Sequence, residues 1–173
     1  MVILLCGLSG AGKTTLAKNV KTRLEQSGLN TEIIDGDEYR EALCRDLGFS
    51  RSDRFENIRR LGFVANRFSE HGFVSIVSAI NPYAEARHEL VETYDNVKTI
   101  FVDCPLDTLI DRDTKGLYKR ALLQDGHPDK ISNLTGVNDQ FDIPAEPDLY
   151  LNTDEQDIQE CTSLLCDFIL NND

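Results

Sequence analysis

The chain has 173 residues, 30 acidic against 18 basic, and a formal charge of −12. Apolar residues make up 40% and charged residues 28%, which suits one globular domain with its own core and excludes a disordered chain. The acidity has the wrong sign for a nucleic-acid partner or an anionic membrane surface, so any anionic substrate must be met by a local basic site.

Residues 2–6 are a short apolar run ending at Gly7, read as a buried strand. The run is too short to span a bilayer, and no basic segment with a cleavage pattern precedes it. Residues 15–27 place Leu16, Val20 and Leu24 on one helical face, and Gly28 stops that helix. A second strand is predicted over 31–34, closed by Asp35-Gly36-Asp37. Residues 51–70 carry Phe55, Ile58, Leu61, Ala65 and Phe68 at helical spacing, with Gly72 as the stop. A strand over 73–77 follows, then a helix opened by Pro82 and running to about Tyr94. Strands are predicted over 97–102 and 149–151. Thr153 is read as the N-cap of the last helix, with Gln156 completing a capping box. Between Asp111 and Pro147 the pattern fades, and a stretch of that length reads as a functional lid.

Strands that read as apolar runs rather than alternating patterns, interleaved with helices, imply an α/β fold with a mainly parallel sheet covered on both faces. The five cysteines, Cys6, Cys44, Cys104, Cys161 and Cys166, form no C-x-x-C pair and read as reduced, buried thiols of a cytoplasmic protein. His71, His88 and His127 are scattered and form no metal cluster.

The chemistry begins at Gly7-Leu8-Ser9-Gly10-Ala11-Gly12-Lys13-Thr14, which fills every position of G-x-x-x-x-G-K-[ST] between a predicted strand and a predicted helix. The glycines let backbone N–H groups turn inward, and the helix N-terminus adds partial positive charge. Gly7, Ser9, Gly10, Ala11, Gly12, Lys13, Thr14 and Thr15 are therefore the expected ATP-binding loop. Lys13 reaches the β- and γ-phosphates, and Thr14 holds Mg²⁺. No N-K-x-D guanine motif follows, which argues against a GTPase. The chain is too short for a motor.

Asp35 and Asp37 lie just past the second strand, where a doubly wound sheet gathers its ligands. One carboxylate can place Mg²⁺ and the other can take the proton of an attacking hydroxyl. Seven of the eleven arginines lie between positions 40 and 67, with no lysine and only four acids among them. They are Arg40, Arg45, Arg51, Arg54, Arg59, Arg60 and Arg67. Arginine without lysine points to bidentate oxyanion recognition, against the plainer reading of helix salt bridges such as Asp53 or Glu56 with Arg60. Arg45, Arg51 and Arg67 are the ones expected at the surface. Arg112, Lys115 and Lys119 open the lid, where cations can cover a transferring phosphoryl group and exclude water.

Taken in order, the loop at 7–15, Asp35-Gly36-Asp37 with Arg40, Asp46-Leu47-Gly48-Phe49-Ser50, residues 53–60, residues 112–119 and Leu134-Thr135-Gly136 resemble the adenylyl-sulfate (APS) kinase family over most of the chain. The resemblance implies a P-loop kinase, a three-layer sandwich on a five-stranded sheet with a mobile lid at about 112–140, within a single domain over 1–173. It implies transfer of the ATP γ-phosphate to the ribose 3′-hydroxyl of adenylyl sulfate, giving PAPS in sulfate assimilation. Asp37 would be the base, with Asp35, Lys13 and Lys115 assisting and Arg112 on the ATP side. Arg40, Arg54 and Asn57 would hold the acceptor and Phe49 would stack on its base. Ile80, Asn81, Lys115, Gly116, Leu117 and Leu134 would complete that pocket with Asp37. A homodimer is the assembly the family implies, although the N-terminal extension common in the family does not precede this first strand.

Three departures bear on the acceptor. Leu134 stands where the family has a phenylalanine that sandwiches the base with Phe49, a loss of stacking of roughly 1–3 kcal/mol. Asn81 stands where some members have a phosphorylatable serine. The lid looks longer by about five residues around 124–130. These departures point to acceptor specificity, and resemblance to family-like enzymes that act on a cytidine diphosphate derivative, cytidine diphosphoramidate, on the route to capsule phosphoramidate, implies that compound as the alternative acceptor. The alternative from another class is a regulatory nucleotide-hydrolysing switch, against which the arginine cluster and the lack of switch motifs both weigh.

Overall fold

The computed structural model describes residues 1–172. Five parallel strands, β1 (Val2–Cys6), β2 (Thr31–Asp35), β3 (Val74–Ser78), β4 (Val97–Asp103) and β5 (Leu149–Asn152), form one sheet in the order β2-β3-β1-β4-β5. The α/β expectation holds, and every pairing is parallel.

Burial on both faces explains the continuous apolar runs. Ile3 and Leu5 of β1 point to one face, where α1 (Lys13–Gln26) and α7 (Ile158–Asn172) pack with Leu16, Val20, Leu24, Leu165 and Ile169. Val2 and Leu4 point to the other, against Ile58, Leu61 and Ala65 of α3 (Arg51–Glu70) and Ala86 and Leu90 of α4 (Ala84–Thr93). Each fully buried aliphatic side chain contributes roughly 1.5–3 kcal/mol. All five cysteines are free and buried. Among the described residues no helix is long and apolar enough to cross a membrane.

Three short helices were not predicted: α2 (Gly36–Ala42), α5 (Leu106–Arg112) and α6 (Leu117–Ala121). The last two correct the picture of a featureless lid. Leu109, Tyr118, Ala121 and Leu134 are all part of the core cluster beside α1 and α7. Tyr118, Ala121 and Leu134 thus anchor the 112–140 segment by apolar burial, while residues 124–129 are all exposed.

Two helix starts also differ from expectation. The capping box at Thr153 is absent. The Thr153 hydroxyl donates to the carbonyls of Ala11 and Asp103, and Gln156 Oε1 accepts from Asn152 N–H in a turn ahead of the helix. The box forms four residues later, where Asp157 Oδ1 accepts from the N–H groups of Gln159 and Glu160 and Glu160 Oε2 accepts from Asp157 N–H. Helix α4 begins at Ala84, past Pro82, and the carboxylate of Asp142, 58 residues away, accepts its first N–H at 3.0 Å.

Candidate active site

The β1–α1 connection is the phosphate-type loop the sequence promised. Its first residue, Gly7, has φ +152°, and a Cβ there would lie 2.2 Å from the Val102 carbonyl oxygen of β4. Only glycine fits, because the obstacle is backbone. Gly7 N–H donates to the Ile80 carbonyl at 3.1 Å, which fixes the loop against the end of β3. Lys13 curls back, its ammonium donating to the carbonyls of Gly7 (2.8 Å) and Leu8 (2.7 Å). Burial pushes its pKa down from 10.5 to about 8.

Asp35 ends β2 and caps α2, its Oδ1 accepting from the N–H groups of Asp37 and Glu38. Its Oδ2 accepts from the Thr14 hydroxyl at 3.0 Å, and Ser78 Oγ lies 3.2 Å from that hydroxyl. Asp37 projects from the first turn of α2 and receives the Lys115 ammonium at 2.6 Å. The two side chains come from elements 78 residues apart in sequence.

These groups share one cavity of about 760 Å³, within the range of small-ligand sites. It is lined by Ser9, Gly10, Gly12, Lys13, Thr14 and Thr15 of the loop and by Asp35 and Asp37. On the acceptor side stand Arg40, Phe49, Arg54, Asn57, Ile80, Asn81, Lys115, Leu117 and Leu134. Four expected residues are not in its lining. Gly7 and Ala11 shape the loop from behind. Gly116 lies in the turn before α6, with φ +65°. Arg112 turns away, pairing with Asp154 at 3.5 Å and contacting Cys104 Sγ at 3.6 Å. The sequence reading missed Ser78, Thr114, Ile131, Asn133 and Thr135, which also line the cavity. Thr135, inside Leu134-Thr135-Gly136, and Thr114, inside residues 112–119, carried a signal.

The arginine cluster resolves into two groups. Arg40 and Arg54 line the cavity. The other five are spent on the surface: Arg51 pairs with Glu85, Arg59 with Glu89, Arg60 with Asp46 and Glu56, and Arg67 with Glu70, while Arg45 donates to the Glu41 carbonyl. The cluster as a whole is therefore not an anion site. Arg40 donates to the Gly48 carbonyl and stacks 4.7 Å from the Phe49 ring centroid. Burial, then the like charge of Arg54, lowers its pKa. The Arg54 side chain, 9% exposed, already has four partners. It donates to the carbonyls of Phe49 (3.1 Å) and Asn133 (2.6 Å) and to Thr135 Oγ1 (3.1 Å), and pairs with Asp139 at 3.2 Å.

Two cavity-lining amides are short of a partner. Asn81, at φ +49°, donates from Nδ2 to the Leu5 carbonyl at 2.6 Å, yet its buried Oδ1 has no donor. The buried Oδ1 of Asn57 has none either. An unpaired buried acceptor costs about 1–3 kcal/mol, so both oxygens suit a ligand that brings hydrogen-bond donors.

Residues 1–152 match the adenylylsulphate kinase family. The chain belongs to that family. It is 47% identical over 161 residues to the adenylyl-sulfate kinase of Chloroflexus aurantiacus, covering 93% of this chain and 84% of the relative. It is 43% identical over 168 residues to that of Deinococcus deserti, covering 97% and 90%. Among solved structures it resembles the Mycobacterium tuberculosis APS kinase CysC in complex with AMPPNP and APS, with a TM-score of 0.90 and 34% identity over 98% of this chain and 96% of that one. The resemblance drawn from ordered motifs and the P-loop kinase fold are both borne out.

Proposed function

We propose that this adenylylsulphate kinase family member transfers the γ-phosphate of ATP to the 3′-hydroxyl of adenylyl sulfate, giving PAPS. The carrying observation is the single cavity in which the phosphate loop, the Asp37–Lys115 pair and the Phe49 wall meet. The amides of 10–15 and the Lys13 ammonium bind the phosphates, with Lys13 exchanging its loop carbonyls for phosphate oxygens. Asp37 accepts the proton of the attacking hydroxyl, and Lys115 neutralises charge on the transferring group. Arg40 and Asn57 face the acceptor, and Arg54 holds the wall on which it rests.

Mg²⁺ fits this site. Among the described residues no cluster of His, Cys, Asp or Glu could hold a metal by itself, but the Thr14 hydroxyl and Asp35 carboxylate lie 3.0 Å apart as hard oxygen donors. Mg²⁺ commonly takes one or two such protein groups together with substrate phosphates, where it supplies charge neutralisation. The reading treats the chain as one kinase domain, since both apolar clusters share one sheet.

One observation favours a second acceptor. Among the described residues Phe49 is the only aromatic one lining the cavity, and Leu134, which stands where the family has a phenylalanine, is 6% exposed. Steady-state kinetics with ATP, Mg²⁺ and either adenylyl sulfate or cytidine diphosphoramidate decides between them. The proposal expects PAPS formation with the higher kcat/KM. Turnover of the cytidine compound without turnover of adenylyl sulfate would replace it. Fast hydrolysis of ATP without any acceptor would point to the switch.

A further inference from the structure

The lid and the phosphate loop are joined by a buried bond from a side chain behind the cavity lining. Tyr118 of α6 is 2% exposed, and its hydroxyl donates to the Ser9 carbonyl at 2.7 Å, 109 residues away in sequence. Burial pushes the Tyr118 phenol up to about 12, so it remains a proton donor at neutral pH.

The local structure delivers this side chain. Asp113 lies in the left-handed region at φ +24°, and its carboxylate accepts from the N–H groups of Tyr118 (3.0 Å) and Lys119 (2.9 Å). Helix α6, only five residues long, is thereby oriented by a fixed carboxylate. Its neighbours press on the loop too. A Cβ on Gly10 would come within 3.5 Å of Leu109 and 3.8 Å of Thr114 Oγ1, and one on Gly136 within 2.6 Å of Leu8. Little space therefore separates the loop from Leu109 and Thr114, or Gly136 from Leu8.

The consequence follows from the planarity of the peptide. In a trans peptide the C=O and the following N–H point in opposite directions. A Ser9 carbonyl held by Tyr118 therefore turns the Gly10 N–H the other way. Gly10 lines the cavity, and its N–H is matched by no protein acceptor among the described residues. We propose that Tyr118 is a positioning residue. It locks the Ser9–Gly10 peptide so that the Gly10 amide faces the phosphate chain, and it makes order in the lid and order in the cradle one event. Free rotation of that peptide would present a carbonyl oxygen to the phosphates, a repulsive contact in place of an attractive one.

The proposal rests on the kinase reading only for its nucleotide. The test is therefore run first without acceptor, so that a wrong acceptor and a wrong role for Tyr118 fail separately. Tyr118→Phe keeps the buried ring and removes only the hydroxyl. Calorimetric titration with ATPγS and Mg²⁺ should show a Kd raised about tenfold, the weight of one hydrogen bond near the top of its usual range. With ATP and a working acceptor, kcat should fall by a similar factor while the acceptor KM changes less than about twofold. A bond that only stabilises the fold would lower the melting temperature and leave Kd and kcat of the folded enzyme at wild-type values. That result overturns the proposal. So does a rise in acceptor KM with unchanged ATPγS affinity.

Discussion

Replacing Arg54 by methionine keeps its aliphatic stem and removes the guanidinium. The structure predicts a loss of stability as well as of acceptor binding. Arg54 ties the loop carrying Phe49 to residues 133–139 through three hydrogen bonds and the Asp139 ion pair. Breaking a buried pair costs about 3–5 kcal/mol. Asp139 is 24% exposed and can be rehydrated, so the lower end applies, about 3 kcal/mol. For a chain of this length 1 kcal/mol shifts Tm by about 2–4 °C, so the variant should melt roughly 6–12 °C lower. Thermal and urea unfolding measure this directly. A double-mutant cycle with Asp139→Asn should return a coupling of about 1 kcal/mol or more, because the partners touch. A melting temperature within about 2 °C of wild type, together with a large rise in acceptor KM, would refute the reasoning. It would mean that Arg54 is held free for substrate, as the motif alone suggested.

Asp37→Ala should abolish most turnover while leaving the Kd for ATPγS within about threefold, since its carboxylate meets Lys115 and not the loop. Gly7→Ala should cost about 4 kcal/mol or more, or prevent folding, because the new methyl meets the Val102 carbonyl at 2.2 Å; circular dichroism and urea titration read it. Lys13 makes stability pH-dependent with a defined sign. Its pKa is about 8 when folded against 10.5 when unfolded, so between these values the unfolded chain holds more protons and stability rises with pH. The buried Cys6 thiol, raised from 9.0 to about 11, acts in the opposite sense, so the Lys13 contribution is read by urea unfolding between pH 8 and 10 as a difference: the stability of wild type relative to Lys13→Met should rise with pH. Over the same range ATPγS affinity should fall as the ammonium is lost.

Much of the architecture was legible because its causes are local. The apolar run at 2–6 and the β-branched, aromatic stretch at 97–102 read as strands from their own composition. Helix α3 begins at Arg51 because Ser50 and Asp53 form its capping box, three residues apart. The phosphate loop was legible for the same reason, since its glycines and Lys13 act through the backbone of one short segment. Short helices α2, α5 and α6 escaped notice because five to seven residues carry too little periodicity to register. The capping box of α7 was misplaced because Thr153 and Gln156 satisfy the same pattern as Asp157 and Glu160, and only the contacts of Thr153 with Ala11 and Asp103 separate them.

The sequence by itself determined the sheet, its two covered faces, the phosphate loop and, through ordered motifs, the family. The tertiary structure alone decided which charges serve the site. Seven arginines look alike along the chain, yet five meet carboxylates or a carbonyl at the surface and two face the cavity. Arg112 looked like a ligand of the triphosphate and instead meets Asp154. The net charge of −12 excluded a broad polyanionic partner, but it carried no information about these pairings. A charge is neutralised by whatever lies within a few ångströms, and the carboxylates that meet Arg54 and Lys115, Asp139 and Asp37, lie far from them in the sequence.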